Sequence, residues 1–264
     1  MGRKSIWASG AAYEPYIGRW SRLVAREFLA WLAVPPESRW LDVGCGTGAL
    51  SATILALARP ATVTGIDASE GYAAYAHEQI RDGRAQFRQG DAEALPFRDE
   101  GFDATVSGLV VNFLPEPSPG LAEMARVTRP GGTVAVYVWD YSDGMQLIRH
   151  FWDAATALDP AAVKLDESRR FPICHPEALE RLFTDAGVVD VAVRAVDVPT
   201  VFRDFDDYWS PFLGGQGPAP GYAMSLTEER RAALRERIRA DLPISADGSI
   251  QLSARAWAVR GRRN

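Results

Sequence analysis

Cysteine is almost missing from this chain: 264 residues hold only Cys45 and Cys174. Two thiols cannot make a disulfide framework, and a chain of this length can bury a real core without one. Their scarcity fits a reducing compartment, so a cytoplasmic protein is expected. Long apolar runs are missing too. None approaches the ~18 residues of a membrane span, and no membrane partner is expected. The stretch MGRKSIWASGAA has basic residues with no apolar region behind them, so it does not read as a signal peptide. Ile6 stands where N-myristoylation needs Ser or Thr. An excess of basic charge is also lacking. A net charge of −5 and a pI near 5.4 argue against nucleic acid as the main partner. There is no internal repeat and no low-complexity tract, and no metal is expected.

What remains is an ordinary globular composition, 47% hydrophobic and 24% charged, with mean hydropathy −0.13. SRLVAREFLAWLAV carries an apolar stripe at helical spacing and stops at Pro35-Pro36. RWLDVG reads as a first strand, ALSATILALA as a helix, ATVTGID as a second strand and EGYAAYAHEQIR as a helix. AQFRQGD and FDATVSGLVV read as strands three and four. PGLAEMARVT is helical up to Pro130-Gly131-Gly132, and TVAVYVWD is a β-branched fifth strand. Strands alternating with helices at such intervals imply βαβ units and an open parallel sheet. Further on, HPEALERLFTDAG predicts a helix with Pro176 in its first turn and Gly187 at its end. VVDVAVRAVDVPTVF and SIQLSARAWAVRG read as two long strands. Between them lie a Gly/Pro/aromatic-rich stretch and a charged helix with a capping box at Ser225-x-x-Glu228. The arginines of that helix read as a solvated face.

The first strand ends in LDVGCGTG, with Asp42, Gly44, Gly46 and Gly48 at alternate positions. A glycine-rich turn there lets a ligand press on backbone where a Cβ would collide. The spacing G-x-G-x-G is not the G-x-G-x-x-G of dinucleotide binders. Roughly 20 residues past Gly48, Asp67 ends strand two, where an acid can accept hydrogen bonds from ribose hydroxyls. Asp91 ends strand three and could accept a bond from an adenine amino group, with Ala92 offering its backbone N–H. These positions share the carboxyl ends of neighbouring parallel strands, where open α/β sheets bind ligands. Cys45 reads as a small turn filler, since nothing charged nearby in sequence would depress its pKa.

Four blocks in order, LDVGCGTG, GIDAS, GDAEALPF and RPGGTVAVYVWD, resemble those of class I S-adenosylmethionine-dependent methyltransferases. The resemblance implies an α/β fold: a Rossmann-like, seven-stranded, mostly parallel sheet with helices on both faces and an antiparallel C-terminal hairpin. It implies S-adenosyl-L-methionine as cofactor and S-adenosyl-L-homocysteine as product. Gly44, Gly46 and Gly48 would approach the methionine moiety, Asp67 the ribose, and Asp91 with Ala92 the adenine; Asp42, Cys45 and Ala68 belong to the same expected cofactor set. Ser107, Tyr16 and Arg19 complete the expected cofactor set, with Arg19 suited to pair the methionine carboxylate.

The expected reaction is methyl transfer to a small, apolar or aromatic acceptor. One alternative is a protein of this fold that binds the cofactor without transferring methyl, either a pericyclase-like enzyme or a binding module. A nicotinamide-dependent oxidoreductase is the other; the glycine spacing and the lack of a Tyr-x-x-x-Lys pair oppose it. Acceptor-contact candidates are Tyr13, Asn112, Trp139, Tyr141, Trp209 and Tyr222. Candidate proton acceptors are Asp140, just after strand five, with His150 and His175; His77 reads as a surface residue. VVNFLPEP distantly resembles the Arg-Asn pair of ubiquinone/menaquinone C-methyltransferases, with Asn112 in the asparagine's place but Val111 in the arginine's. One domain over 1–264 is expected: a helical cap over 1–35, a cofactor-binding core over 36–202 plus 248–264, and a lid over 203–247.

Overall fold

The computed structural model describes residues 18–214 and 217–264, so Tyr13 and Tyr16 lie outside the described residues. The chain falls into two compact units. The core unit holds 21–138, 173–196 and 256–264; the helical unit holds 139–172 and, within the described residues, 18–20 and 197–255. This grouping differs from the expected boundaries. Residues 21–32 of the first helix belong with the core, and 139–172 belong with 203–247.

Seven strands form one sheet in the order β3-β2-β1-β4-β5-β7-β6. They are β1 (Arg39–Val43), β2 (Thr62–Asp67), β3 (Ala85–Gln89), β4 (Phe102–Gly108), β5 (Thr128–Trp139), β6 (Val188–Phe202) and β7 (Ile250–Arg263). Pairs β1–β2, β1–β4, β2–β3 and β4–β5 are parallel, and the C-terminal strands are antiparallel. The sheet is flanked by α1 (Arg19–Leu32), α2 (Ala49–Leu57), α3 (Glu70–Gln79), α4 (Pro117–Val127) and α7 (Pro176–Asp185). The sheet centre is apolar: in β5 every residue from Val136 to Trp139 is buried. Edge strand β3 exposes Gln86, Arg88 and Gln89. From α1, Phe28 is fully buried and meets Tyr137 edge-on at 4.8 Å. A fully buried ring of this kind contributes about 1.5–3 kcal/mol.

The structure changes several expected limits. β5 begins at Thr128, before the Pro-Gly-Gly, because Thr128 already pairs with Phe102. The register then skips to Ala104–Thr133, so 129–132 bulge outward, with Gly131 at φ 69. β4 stops at Gly108, and Val111–Phe113 form a 3₁₀ turn rather than strand.

The helical unit contains α5 (Gln146–Leu158), α6 (Glu167–Arg170), α8 (Phe205–Trp209), α9 (Pro218–Ser225) and α10 (Glu228–Asp241). The Gly/Pro-rich stretch is therefore largely helical. Its aromatics are interior: Tyr208 and Phe212 are fully buried, and Phe212 stacks on Phe151 at 4.6 Å. The Tyr208 hydroxyl donates to the Leu147 carbonyl at 2.8 Å, so its one polar atom is satisfied. The cap of α10 is Thr227, whose hydroxyl accepts the Arg230 N–H, and not Ser225. Ser225 instead donates back to the Tyr222 carbonyl, within the end of α9. Among the described residues no helix is long and apolar enough to cross a membrane.

Candidate functional site

Between β1 and α2 the chain turns through three glycines with left-handed backbone, Gly44 (φ 74), Gly46 (φ 51) and Gly48 (φ 86). They are glycine for different reasons. A Cβ at Gly44 would lie 2.5 Å from both Val110 methyls, and one at Gly48 would lie 2.5 Å from Ile80 Cδ1. At Gly46 a Cβ would meet nothing within 4 Å. Gly44 and Gly48 let the protein close on itself, whereas Gly46 faces open space at the carboxyl end of the sheet. The loop is pinned from below: the N–H groups of Gly44 and Cys45 both donate to the Ile66 carbonyl, at 2.7 and 3.0 Å.

Asp67, at the end of β2, ties this loop to the next one. Its Oδ2 accepts the Gly46 N–H at 2.9 Å and its Oδ1 accepts the Ser69 N–H at 2.8 Å. Each oxygen keeps a free lone pair. Burial pushes Asp67 above the usual carboxylate range, while these two bonds oppose the shift. Asp42 is deeper, 1% exposed, and burial pushes it up to about 7. Its Oδ2 accepts the Ser51 hydroxyl at 2.7 Å, but its Oδ1 is buried with no partner. Burial also pushes the Cys45 thiol well above its usual value, so it is a filler and not a nucleophile.

Ser51 and Tyr72 did not stand out in the sequence. Ser51 lies on the buried face of α2, nine positions from Asp42, and holds its carboxylate. Tyr72, on α3, is pushed up to about 12 by burial and then by the Asp67 charge, which places it in that acid's field. Ala68 links Asp67 to the Ser69 cap of α3, and its carbonyl accepts the Gln89 amide.

Asp91 is exposed after β3, and its Oδ1 accepts the Glu93 N–H at 2.9 Å, which shapes the turn containing Ala92. Ser107 is buried and donates to the Val43 carbonyl at 2.7 Å, so it fixes the point where β1 enters the glycine loop. Asn112, in the turn after β4, is 7% exposed, and its amide nitrogen has no partner. A buried, unpaired N–H₂ is costly unless something else accepts from it.

In the helical unit, Arg19 pairs with Asp207 at 3.2 Å and lies over the rings of Trp20 and Phe202. Its Nε and Nη2 are buried without partners. Asp140 is buried, and its Oδ1 accepts the N–H groups of Ser142 and Asp143, so its carboxylate shapes the turn after β5. His150, on α5, is half-buried, and burial lowers its pKa. His175 is the N-cap residue of α7 without a capping side-chain bond. Trp139 is buried at the end of β5, and Tyr141 packs on Phe171 at 5.6 Å. Trp209 packs on Phe212, and Tyr222 packs on Trp152. The same cluster holds an acid that no motif announced. Glu167 is 1% exposed, accepts the Trp152 indole N–H, and is pushed up to about 7 by burial.

A family of methyltransferase domains matches residues 41–136, from β1 through the glycine loop into β5. The demethylmenaquinone methyltransferase of Roseiflexus sp. is 35% identical over 181 residues, covering 62% of this chain and 74% of that protein. The 2-methyl-6-phytyl-1,4-hydroquinone methyltransferase of Synechocystis sp. is 32% identical over 187 residues, 70% of this chain and 57% of that protein. Among solved structures, phosphoethanolamine N-methyltransferase 2 of Haemonchus contortus, complexed with phosphomonomethylethanolamine and S-adenosylhomocysteine, aligns with a TM-score of 0.60. It is 16% identical, over 96% of this chain and 57% of that one, a likeness of fold.

Proposed function

Because this chain belongs to the class I S-adenosylmethionine-dependent methyltransferases, we propose that Gly46 and Asp67 hold the cofactor and that the methyl group goes to a ring-bearing, largely apolar acceptor. Methyl transfer to a small acceptor is its activity. The observation that carries the residue roles is the pairing of open space over Gly46 with an N–H from the same residue held on Asp67. A ligand can press on the loop there while Asp67, already oriented by two backbone bonds, accepts its ribose hydroxyls.

The charge of the site supports the same reading. The Asp67 charge adds to the cost of ionising the buried Asp42, and the unpaired Asp42 Oδ1 has no cation beside it. Two carboxylates favour a positively charged ligand and oppose a pyrophosphate. When bound, the cofactor's sulfonium supplies an already activated methyl group. The chain's own work is then alignment and exclusion of water, and orientation alone is worth about 7–11 kcal/mol. Asp91 and the Ala92 N–H suit the adenine edge. Ser107 acts as a positioning residue through the Val43 carbonyl.

For the acceptor, the buried and unpaired amide of Asn112 suits a ring oxygen. Two relatives whose names carry quinone-type rings point the same way, although Val111 gives no guanidinium beside it. Of the candidate proton acceptors, His150 suits best, because burial lowers its pKa and so favours the neutral imidazole, whereas the Asp140 carboxylate is engaged by its own turn. The test is S-adenosylhomocysteine formation with a panel of hydroquinones, phenols and aliphatic amines. Turnover is expected with ring hydroxyl acceptors and its loss in Asn112→Leu. Turnover with amines alone, or an Asn112→Leu enzyme with unchanged KM, would overturn the acceptor assignment.

A further inference from the structure

The core unit has a cavity of about 350 Å³ between the ends of α1 and α2 at the amino end of β1. Its floor is Trp40, the second residue of β1, and its walls include Leu29, Val34 and Leu57. Both helices beside it end in a left-handed residue, Ala33 (φ 49) after α1 and Arg59 (φ 47) after α2. The glycine loop begins only after Val43, about 10 Å further along the strand. The cavity is therefore not part of the cofactor site.

Its lining has one sign of charge. Arg26 and Arg59 line it, and no acidic side chain does. An arginine near a helix C-terminus ordinarily neutralises the last carbonyls, but here other arginines do so. Arg260 donates to the carbonyls of Trp31 and Leu32 at the end of α1, and Arg84 donates to the Leu55 carbonyl in α2. Among the described residues neither Arg26 nor Arg59 has an ion pair or a side-chain hydrogen bond. Trp40 itself is 1% exposed, with its indole N–H unpartnered. An apolar cavity rimmed by two exposed guanidiniums without protein partners complements one kind of ligand.

We propose that this cavity is a second ligand site for an apolar carboxylate, its hydrocarbon body on Leu29, Val34 and Leu57 and its carboxylate between Arg26 and Arg59. The volume is at the small end of ligand sites and suits a chain of about eight carbons. The proposal rests on the core unit's geometry and is independent of the acceptor's identity.

Calorimetric titration of the whole protein with octanoate, octanol and octylamine, with and without saturating S-adenosylhomocysteine, tests it. Octanoate should bind, the alcohol and amine should bind about tenfold more weakly or not at all, and S-adenosylhomocysteine should leave the octanoate affinity unchanged. Arg26→Gln and Arg59→Gln should each weaken octanoate about tenfold, the scale of one charged hydrogen bond. Their unliganded melting curves, expected to match the parent's, show whether they fold. Equal binding of octanol and octanoate, no binding of octanoate, or octanoate displaced by S-adenosylhomocysteine would each overturn the proposal. If either variant fails to fold, the parent's selectivity between octanoate and octylamine decides it.

Discussion

From Gly44 to Gly48 the backbone is left-handed at three positions, and Cys45 fills the turn with a buried, protonated thiol. In the helical unit, Phe151, Trp152, Phe212 and Tyr222 pack ring on ring, and none has a positive φ. The first region is specified by backbone conformation and by what must not be there. The second is specified by volume. Substitutions in the first should act on ligand binding wherever the glycine faces open space, and substitutions in the second should act on stability.

The largest effect is expected in the aromatic cluster. Phe151 is fully buried between Trp152 and Phe212, so Phe151→Ala should lower the unfolding free energy by about 3–5 kcal/mol in urea titration. Affinity for S-adenosylhomocysteine should hold under conditions where the variant is folded. Loss of cofactor affinity without loss of stability would break the contrast between the regions.

Both regions hide an acid, and both should show it in the pH dependence of stability. Asp42 and Glu167 sit near 7 in the folded chain, above their ordinary values of 3.8 and 4.5. The folded state therefore binds more protons than the unfolded state between about pH 4 and 7. Stability should fall as pH rises through that window, by a few kcal/mol, and level off above it. Glu167→Gln should flatten part of the fall while keeping a partner for the Trp152 indole N–H. An unchanged pH profile for Glu167→Gln would show that the acid does not titrate in that window.

The glycines separate the two kinds of constraint within one loop. Gly44→Ala adds left-handed strain and a collision with Val110, together about 2–5 kcal/mol of lost stability. Gly46→Ala adds only the strain, about 1–2 kcal/mol, but puts a methyl group where the ligand approaches. Cofactor affinity should fall more at Gly46 than stability does. Equal behaviour of the two variants in melting and in calorimetry would mean that Gly46 does not face the ligand. The smallest effect expected is at α10: Thr227→Ala should cost about 1 kcal/mol and Ser225→Ala less. A larger cost at Ser225 would restore the capping box.

The contrast also explains what was legible beforehand. Gly44, Gly46, Gly48, Asp42 and Asp67 announce themselves because left-handed turns and strand-end acids demand particular residue types at particular intervals. The limits of β1 and β2 follow from short buried runs, and those of β6 from apolar alternation, between turn residues. Thr128 was missed as a strand start because Pro-Gly-Gly ordinarily ends pairing, whereas here it bulges inside a ladder. Thr227 was missed because Ser225 also satisfies the cap pattern, and only the geometry of α9 takes that hydroxyl away. The Gly/Pro stretch over 203–222 reads as a loop by composition. Burial of Tyr208 and Phe212 makes it helical, and no local signal reports such packing. Ser51 and Glu167 are silent for a related reason: a single polar residue on an apolar helix face shows its partner only in three dimensions.

The central claim is that Asp67, held by the Gly46 and Ser69 N–H groups, accepts the cofactor's ribose. Isothermal titration of S-adenosylhomocysteine into the parent protein and into Asp67→Ala tests it most directly. One equivalent should bind the parent, and the variant should bind about 1–3 kcal/mol more weakly, the range for hydrogen bonds to a charged group. Equal affinities in a variant that melts like the parent would contradict the account.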